Sequence, residues 1–243
     1  MANFSKKFRL VAHRGGLYYR PENTLAAFEN MAEMGIEWVE CDVRLTNDQV
    51  AVLFHDESLP GHGARTGFVR DLPYKTLSEI DVGGGERIPT VDDFLKHFSN
   101  RFHFDIEIKE LDVVEAVIKS VKKHHLEDRV LISSFIPEAL QNCQNIAPEI
   151  RRGLLMDRLV GGLVDTKSAL KAATLLRCEC FLPEYRTLNP TRVKMAHDSG
   201  LKVIPWTVNR LADAQQLINF GVDGLISDRP DYFRELAERR DNK

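Results

Sequence analysis

The strongest constraint in this 243-residue chain is a repeat of form without a repeat of letters. A short β-branched or apolar run leads into a polar turn and then a segment of helical period, and the cycle recurs along the whole chain. The strand-like runs fall at 10–13, 37–43, 103–108, 130–133, 152–155, 180–183, 203–208 and 224–227. The helix-like stretches fall at 24–34, 91–98, 113–124, 137–145, 167–176, 190–198, 211–220 and 232–239. Gly35, Gly200 and Gly221 stand where a helix must stop, and Pro137 and Pro190 stand where one starts, at which a missing N–H costs least. Eight strand–helix units in a chain of this size predict a (β/α)8 TIM barrel. An open doubly wound sheet would carry a glycine fingerprint at its first turn, and His13-Arg14-Gly15-Gly16 is not that fingerprint. No Ser/Pro-rich linker divides the chain, so one domain over about 8–240 is expected.

One stretch breaks the rhythm. From 57 to 87 loop residues dominate, including Pro60-Gly61-His62-Gly63 and Gly83-Gly84-Gly85. This reads as a short insertion after the second strand, overhanging the end of the barrel at which barrel enzymes keep their sites.

Composition narrows the function classes. A hydrophobic fraction of 43% with 28% charged residues suits a soluble globular chain, and a net charge of -3 provides no basic face for nucleic acid. The N-terminus lacks the apolar core of a signal peptide, and no apolar run approaches about 18 residues, so no stable membrane anchor is expected. Cys41, Cys143, Cys178 and Cys180 lack Cys-x-x-Cys spacing and read as buried free thiols of a reducing, cytoplasmic chain.

The chemistry lies in residues a buried strand should not carry. In the third strand Phe104, Ile106 and Ile108 alternate with His103, Asp105, Glu107 and Lys109, so the polar set faces the barrel interior. In the second strand Glu40 and Asp42 share that face while Cys41 points away. Ionised carboxylates there cost several kcal/mol each unless answered by a cation or a hydrogen-bond network. Glu40, Asp42 and Glu107 suit a hard, oxygen-seeking divalent cation such as Mg²⁺ or Ca²⁺. The competing reading is a structural salt-bridge network in which Lys109 and Arg44 neutralise the three acids. Of eight histidines, His13 and His55 stand at strand ends near these carboxylates, the functional location for this fold. His62, His97, His103, His124, His125 and His197 read as ordinary hydrogen-bonding residues.

Six short motifs then combine. His13-Arg14-Gly15, Pro21-Glu22-Asn23-Thr24, Glu40-x-Asp42, His55-Asp56, Glu107-x-Lys109 and Trp206-Thr207-Val208-Asn209 run in order from about Arg9 to Phe233. In that order and spacing the chain resembles the glycerophosphodiester phosphodiesterase family. The resemblance implies a TIM barrel with an insertion after the second strand and hydrolysis of glycerophosphodiesters to glycerol 3-phosphate and an alcohol. It implies Glu40, Asp42 and Glu107 as metal ligands, His13 and His55 as acid and base, and Arg14 and Lys109 as phosphate contacts. By resemblance alone, His13 is the base and His55 the acid. The nucleophile is either water or the substrate's own glycerol hydroxyl.

Around that set, Glu22 is expected to hold Arg14, and Trp206, with Phe135 as a weaker candidate, to wall the glycerol carbons. Asn23 or Thr24 is a natural N-cap for the first helix. Ser227-Asp228 replaces the family's Thr-Asp and is expected to tune barrel closure. After His55-Asp56 the family's Leu-x-Arg-Thr-Thr-x-Gly pattern is matched only by a displaced Arg65-Thr66-Gly67, which leaves the alcohol specificity open. The expected partner is a small-molecule glycerophosphodiester. A lysophospholipase D-type activity and a non-catalytic phosphodiester-binding barrel are the alternatives, and the oligomeric state is left open.

Overall fold

A computed structural model describes residues 7–59, 67–157 and 166–242. Pro60-Gly61-His62-Gly63 and Arg65-Thr66 of the insertion lie outside the described residues. Eight parallel strands run β1 (Arg9–Ala12), β2 (Trp38–Leu45), β4 (His103–Ile108), β5 (Val130–Ser134), β6 (Arg151–Met156), β7 (Cys180–Pro183), β8 (Lys202–Val203) and β9 (Gly224–Ser227). They pair in the order β8-β7-β6-β5-β4-β2-β1-β9. The two ends of that sheet meet through backbone bonds from Asp223 N to Val203 O at 2.8 Å and from Ile226 N to Pro205 O at 2.9 Å. The result is a nearly closed (β/α)8 barrel.

The helices between the strands are α1 (Leu25–Glu33), α3 (Val91–Phe98), α4 (Val114–Lys123), α5 (Pro137–Ile146), α6 (Thr166–Leu175), α7 (Pro190–Asp198) and α8 (Leu211–Phe220), with α9 (Arg234–Asp241) last. Their starts carry the expected chemistry. Thr24 caps α1 by accepting from Ala27 N, Thr90 caps α3 through Asp93 N, and Asn189 caps α7 through Arg192 N. Gly35, Gly200 and Gly221 have φ of 70°, 78° and 92°, the left-handed geometry that ends a helix.

The strands bury both faces. Outward residues such as Phe104, Ile106 and Ile108 pack with Phe28, Phe94 and Phe98 under the helices. The barrel interior holds a smaller apolar layer of Val11, Trp38, Leu131, Leu155, Cys180, Leu182, Ile204 and Ile226. Above that layer the register sets Glu40 beside Asp105 and Asp42 beside Glu107 on neighbouring strands β2 and β4. Two rungs of acids therefore face the inside of the barrel at one end.

Two boundaries differ from expectation. The run 203–208 contributes only Lys202–Val203 as β8, because Pro205 has no N–H to continue a ladder. Ile204 and Trp206 keep single bonds to Phe181 and Pro183 of β7. Just before His55 a further strand forms, β3 (Ala51–Leu53), antiparallel to β2. The insertion thus leaves from a hairpin instead of from β2 itself. It holds a short helix, α2 (Tyr74–Leu77), and a core of its own made by Val52, Leu59, Val69, Leu77, Ile80 and Ile88.

Candidate active site

Glu40, Asp105 and Glu107 open into a cavity of about 280 Å³ at the C-terminal ends of the strands. His13, Arg14, His55 and Lys109 reach it from one side, and Phe135, Leu155, Trp206 and Ile226 supply an apolar wall on the other. Trp206 is pinned by Nε1 donating to Leu182 O at 2.8 Å and meets the Phe135 ring edge-on at 5.5 Å.

Glu40, Asp42 and Glu107 each offer an oxygen, and these oxygens lie within 4.8 Å of one another. Lys109 Nζ bridges two of the acids, at 2.9 Å from Asp42 and 2.5 Å from Glu107, and Arg14 Nε lies 3.2 Å from Asp42. Arg44, expected to share that duty, turns away to His55 O at 2.9 Å and toward Glu110. Burial pushes Asp42 up, yet Lys109 and Arg14 outweigh it and hold this carboxyl below its usual range. Glu40 has the opposite fate. Burial, then Asp42 and Glu107, drive its pKa well above the ordinary value. One Glu40 oxygen accepts from Arg14 N at 2.8 Å, while Oε1 is buried with no hydrogen-bond partner. Burial also raises Glu107, partly offset by Lys109. Asp105, in the rung below, is pushed to about 7 by burial even though Ser133 donates to it at 2.6 Å.

The histidines are fixed by their Nδ1 atoms. His13 begins a tight turn, His13–Gly15, in which Arg14 takes φ 51°. That turn presses on α1 so closely that a Cβ on Gly15 would stand 2.9 Å from Ala27 Cβ, and one on Gly16 2.8 Å from Met31 Cε. The His-Arg-Gly-Gly run is therefore a packing requirement that delivers the His13 and Arg14 side chains to the cavity. His13 Nδ1 meets Asp228 Oδ1 at 2.6 Å, and Asn209 donates to Asp228 Oδ2 at 2.5 Å. His55 Nδ1 meets Asp56 Oδ1 at 2.7 Å. Burial lowers the His55 pKa, an effect that Lys109 and Arg14 reinforce and Asp42 opposes. Glu22 takes both of its bonds from Arg14 Nη1, at 3.1 and 3.0 Å, as expected from its spacing. Asn23 spends its side chain on Asp42, with Nδ2 donating to Oδ2 at 2.9 Å, and leaves the N-cap to Thr24.

Two features escaped sequence reasoning. Asp228 orients His13, whereas its Ser-Asp pair was expected to tune closure alone. Asn209 sits in the Trp-Thr-Val-Asn run but gave no sign of its partner, since contacts 19 residues apart leave no local pattern. Asp105 shares the inward face of Glu107, as the period-two alternation of the third strand predicts. Elsewhere His97, His124 and His197 pair with Glu29, Asp92 and Asp223.

The Glycerophosphoryl diester phosphodiesterase family model matches residues 13–232, from the His13 turn to beyond Asp228. The chain belongs to that family. A glycerophosphodiester phosphodiesterase from Caldanaerobacter subterraneus subsp. tengcongensis is 35% identical over 96% of this chain and 99% of its own length. One from Bacillus subtilis is 28% identical over 94% and 86%. Among solved structures, an Oleispira antarctica phosphodiesterase in complex with the product sn-glycerol-3-phosphate superposes with TM-score 0.86 at 28% identity, covering 96% of this chain and 97% of that one. The Thermotoga maritima glycerophosphodiester phosphodiesterase gives 0.80 at 27%, covering 94% and 98%. Family membership makes the chain an enzyme of the phosphodiesterase class, and its site residues fall inside the matched segment.

Proposed function

We propose that the chain hydrolyses glycerophosphodiesters to glycerol 3-phosphate and an alcohol, with a divalent cation at Glu40, Asp42 and Glu107 and with His13 and His55 moving the protons. The observation that carries this reading is the buried, unpartnered Glu40 Oε1 inside a three-acid cluster that Lys109 and Arg14 only partly neutralise. A donor set of carboxylate oxygens suits Mg²⁺ or Ca²⁺. Such an ion supplies charge for a phosphoryl oxygen and screens the diester against its nucleophile.

The protein's own groups do the rest. Arg14 presents a planar fork, held by Glu22, and Lys109 a point charge, so both favour the phosphate over a neutral group. Anchoring at Nδ1 leaves Nε2 of each histidine for the substrate. In the water route, His13 takes the proton from water as its oxygen bonds to phosphorus, and His55 gives a proton to the departing alkoxide as the old phosphorus–oxygen bond breaks. Asp228 stabilises the imidazolium that forms on His13. Trp206 and Phe135 supply an apolar wall against the glycerol carbons.

No helix among the described residues is long and apolar enough to cross a membrane. Four free cysteines support a reducing, cytoplasmic setting. Phosphorus NMR of glycerophosphocholine, with and without EDTA, tests the proposal. Glycerol 3-phosphate should appear with Mg²⁺, Ca²⁺ or Mn²⁺ and vanish with chelator. No product from a broad diester panel under any of these cations refutes it, and stabilisation by glycerol 3-phosphate without turnover would instead mark a binding barrel.

A further inference from the structure

The hydrogen bonds that hold His13 do not end at Asp228. They continue to Asn209, the last residue of the Trp-Thr-Val-Asn run. Val208 anchors that run, with its side chain buried and its N–H donating to Ile226 O at 2.9 Å. Asn209 itself is exposed and spends both ends of its amide on Ser227 and Asp228, where β9 ends. Its Oδ1 accepts from Asp228 N at 3.0 Å and from Ser227 Oγ at 3.1 Å, and its Nδ2 donates to Asp228 Oδ2 at 2.5 Å. The neighbours fix the direction of that amide. A backbone N–H can only donate, so the atom facing it must be the oxygen, and the nitrogen is left facing the carboxylate. Ser227 Oγ in turn accepts from Arg229 N at 3.1 Å, and Asp228 O accepts from Tyr18 N at 3.3 Å. Asp228 is thus held along its backbone and through Oδ2, which leaves Oδ1 aimed at His13 Nδ1 at 2.6 Å.

We infer that Asn209 is a positioning residue for the proton transfer at His13, acting through Asp228. The inference rests on the hydrolytic reading above, in which His13 moves a proton, and deepens it. An ionised carboxylate accepts hydrogen bonds and donates none, so the hydrogen between Asp228 and His13 resides on Nδ1. Nε2 then keeps its lone pair as the atom that takes a proton, and the ring plane is fixed with it. Burial pushes the Asp228 carboxyl up, but His13 and the Asn209 bond outweigh burial and hold it below its usual range. Without the Asn209 donor, the carboxylate is freer to turn about its Cβ–Cγ bond and to offer His13 an oxygen out of line. The place calls for a donor and an acceptor on one short planar group. Aspartate has that shape, but it would set a second carboxylate against Oδ2. His55 is held differently, because its partner Asp56 is the next residue in the chain and has a side chain 53% exposed, against 19% for Asp228. Asn209 therefore serves one histidine of the two.

The test compares wild type, Asn209→Ala, Asp228→Asn and the double variant, by steady-state kinetics on glycerophosphocholine and by nitrogen NMR of the His13 ring. Replacing an exposed residue spares the core. Asn209→Ala should lower kcat by about 5–20-fold with KM within about twofold. In the Asp228→Asn background the same change should cost less than about twofold, because the partner it acts through is already altered. For the neutral ring, wild-type His13 should show a protonated Nδ1 and a bare Nε2, and Asn209→Ala should show the two tautomers mixed. An unchanged kcat in Asn209→Ala, a loss expressed only in KM, losses that multiply in the double variant, or unmoved ring nitrogens overturn the inference and leave the hydrolytic reading intact. Absence of turnover by the wild type sinks that reading instead, and the NMR comparison alone then judges the hold on His13.

Discussion

The two mouths of the barrel both bury charge, and they treat it in opposite ways. At the N-terminal mouth, Glu179 accepts from Arg9 at 2.6 Å and from Lys202 at 3.1 Å. Arg9 also lies over the Trp38 ring at 4.6 Å, and Trp38 stacks on His103. Burial pushes the Glu179 carboxyl up, but its cations outweigh burial and hold it below the usual range. At the C-terminal mouth, Arg14 and Lys109 are the Arg and Lys side chains at ion-pair distance from the Glu40, Asp42, Asp105 and Glu107 cluster among the described residues, and three of the four acids are pushed upward. A charge cluster that satisfies itself is a structural device. One that gathers three acids and leaves a buried carboxylate oxygen without a partner has a place for a cation.

That comparison is broken most severely by exchanging one acid at each end. Glu40→Gln should lower turnover by about 10³-fold or more while leaving the metal-free fold as stable or more so, because it removes a carboxyl whose ionisation burial opposes. Glu179→Gln should do the reverse, costing about 1–3 kcal/mol of stability with turnover within about twofold. Loss of activity from Glu179→Gln alone would erase the distinction.

Smaller effects sharpen the picture of the C-terminal mouth. His13→Ala and His55→Ala should each lose about 10²–10⁴-fold in kcat with an unchanged melting temperature, and near-normal rates in either would remove it from the mechanism. Asp228→Asn should lose about 10–100-fold in kcat, since it weakens the partner that holds His13 without touching substrate. A loss expressed only in KM would contradict that role.

The gentlest test is a pH titration of stability in EDTA. Asp105 has an ordinary pKa of 3.8 and is raised to about 7 in the fold. A raised acid contributes its stability fully below the unfolded value, and that contribution is lost as pH climbs through the folded one. Asp105→Asn should therefore match wild type near pH 4 and exceed it by up to about 4 kcal/mol near pH 8. Parallel stability–pH curves for the two proteins would show that Asp105 is ionised throughout.

Much of this was legible in the chain before any coordinates. The eight-unit rhythm, the helix caps and the inward Glu40, Asp42 and Glu107 follow from period and punctuation, which are local properties. What escaped was set by tertiary contact. The eighth strand ends early because Pro205 cannot donate and closure passes to bonds with Asp223 and Ile226. Arg44 leaves the acids because the β2–β3 hairpin brings His55 O to its guanidinium. Asp228 meets His13 only because β9 lies beside β1, a pairing that joins residues 215 apart. The insertion lands on Pro21 at Gly83, a contact that no spacing rule encodes.

If the charge imbalance at the C-terminal mouth makes a cation site, metal occupancy and turnover must rise together. Calorimetric titration of Mg²⁺ into EDTA-stripped and dialysed protein, with glycerophosphocholine turnover followed at each addition, tests it most directly. One ion should bind per chain, turnover should rise in step with occupancy, and both should be lost in Glu40→Gln. Full turnover by the stripped protein without added metal, or binding unchanged in Glu40→Gln, would contradict it.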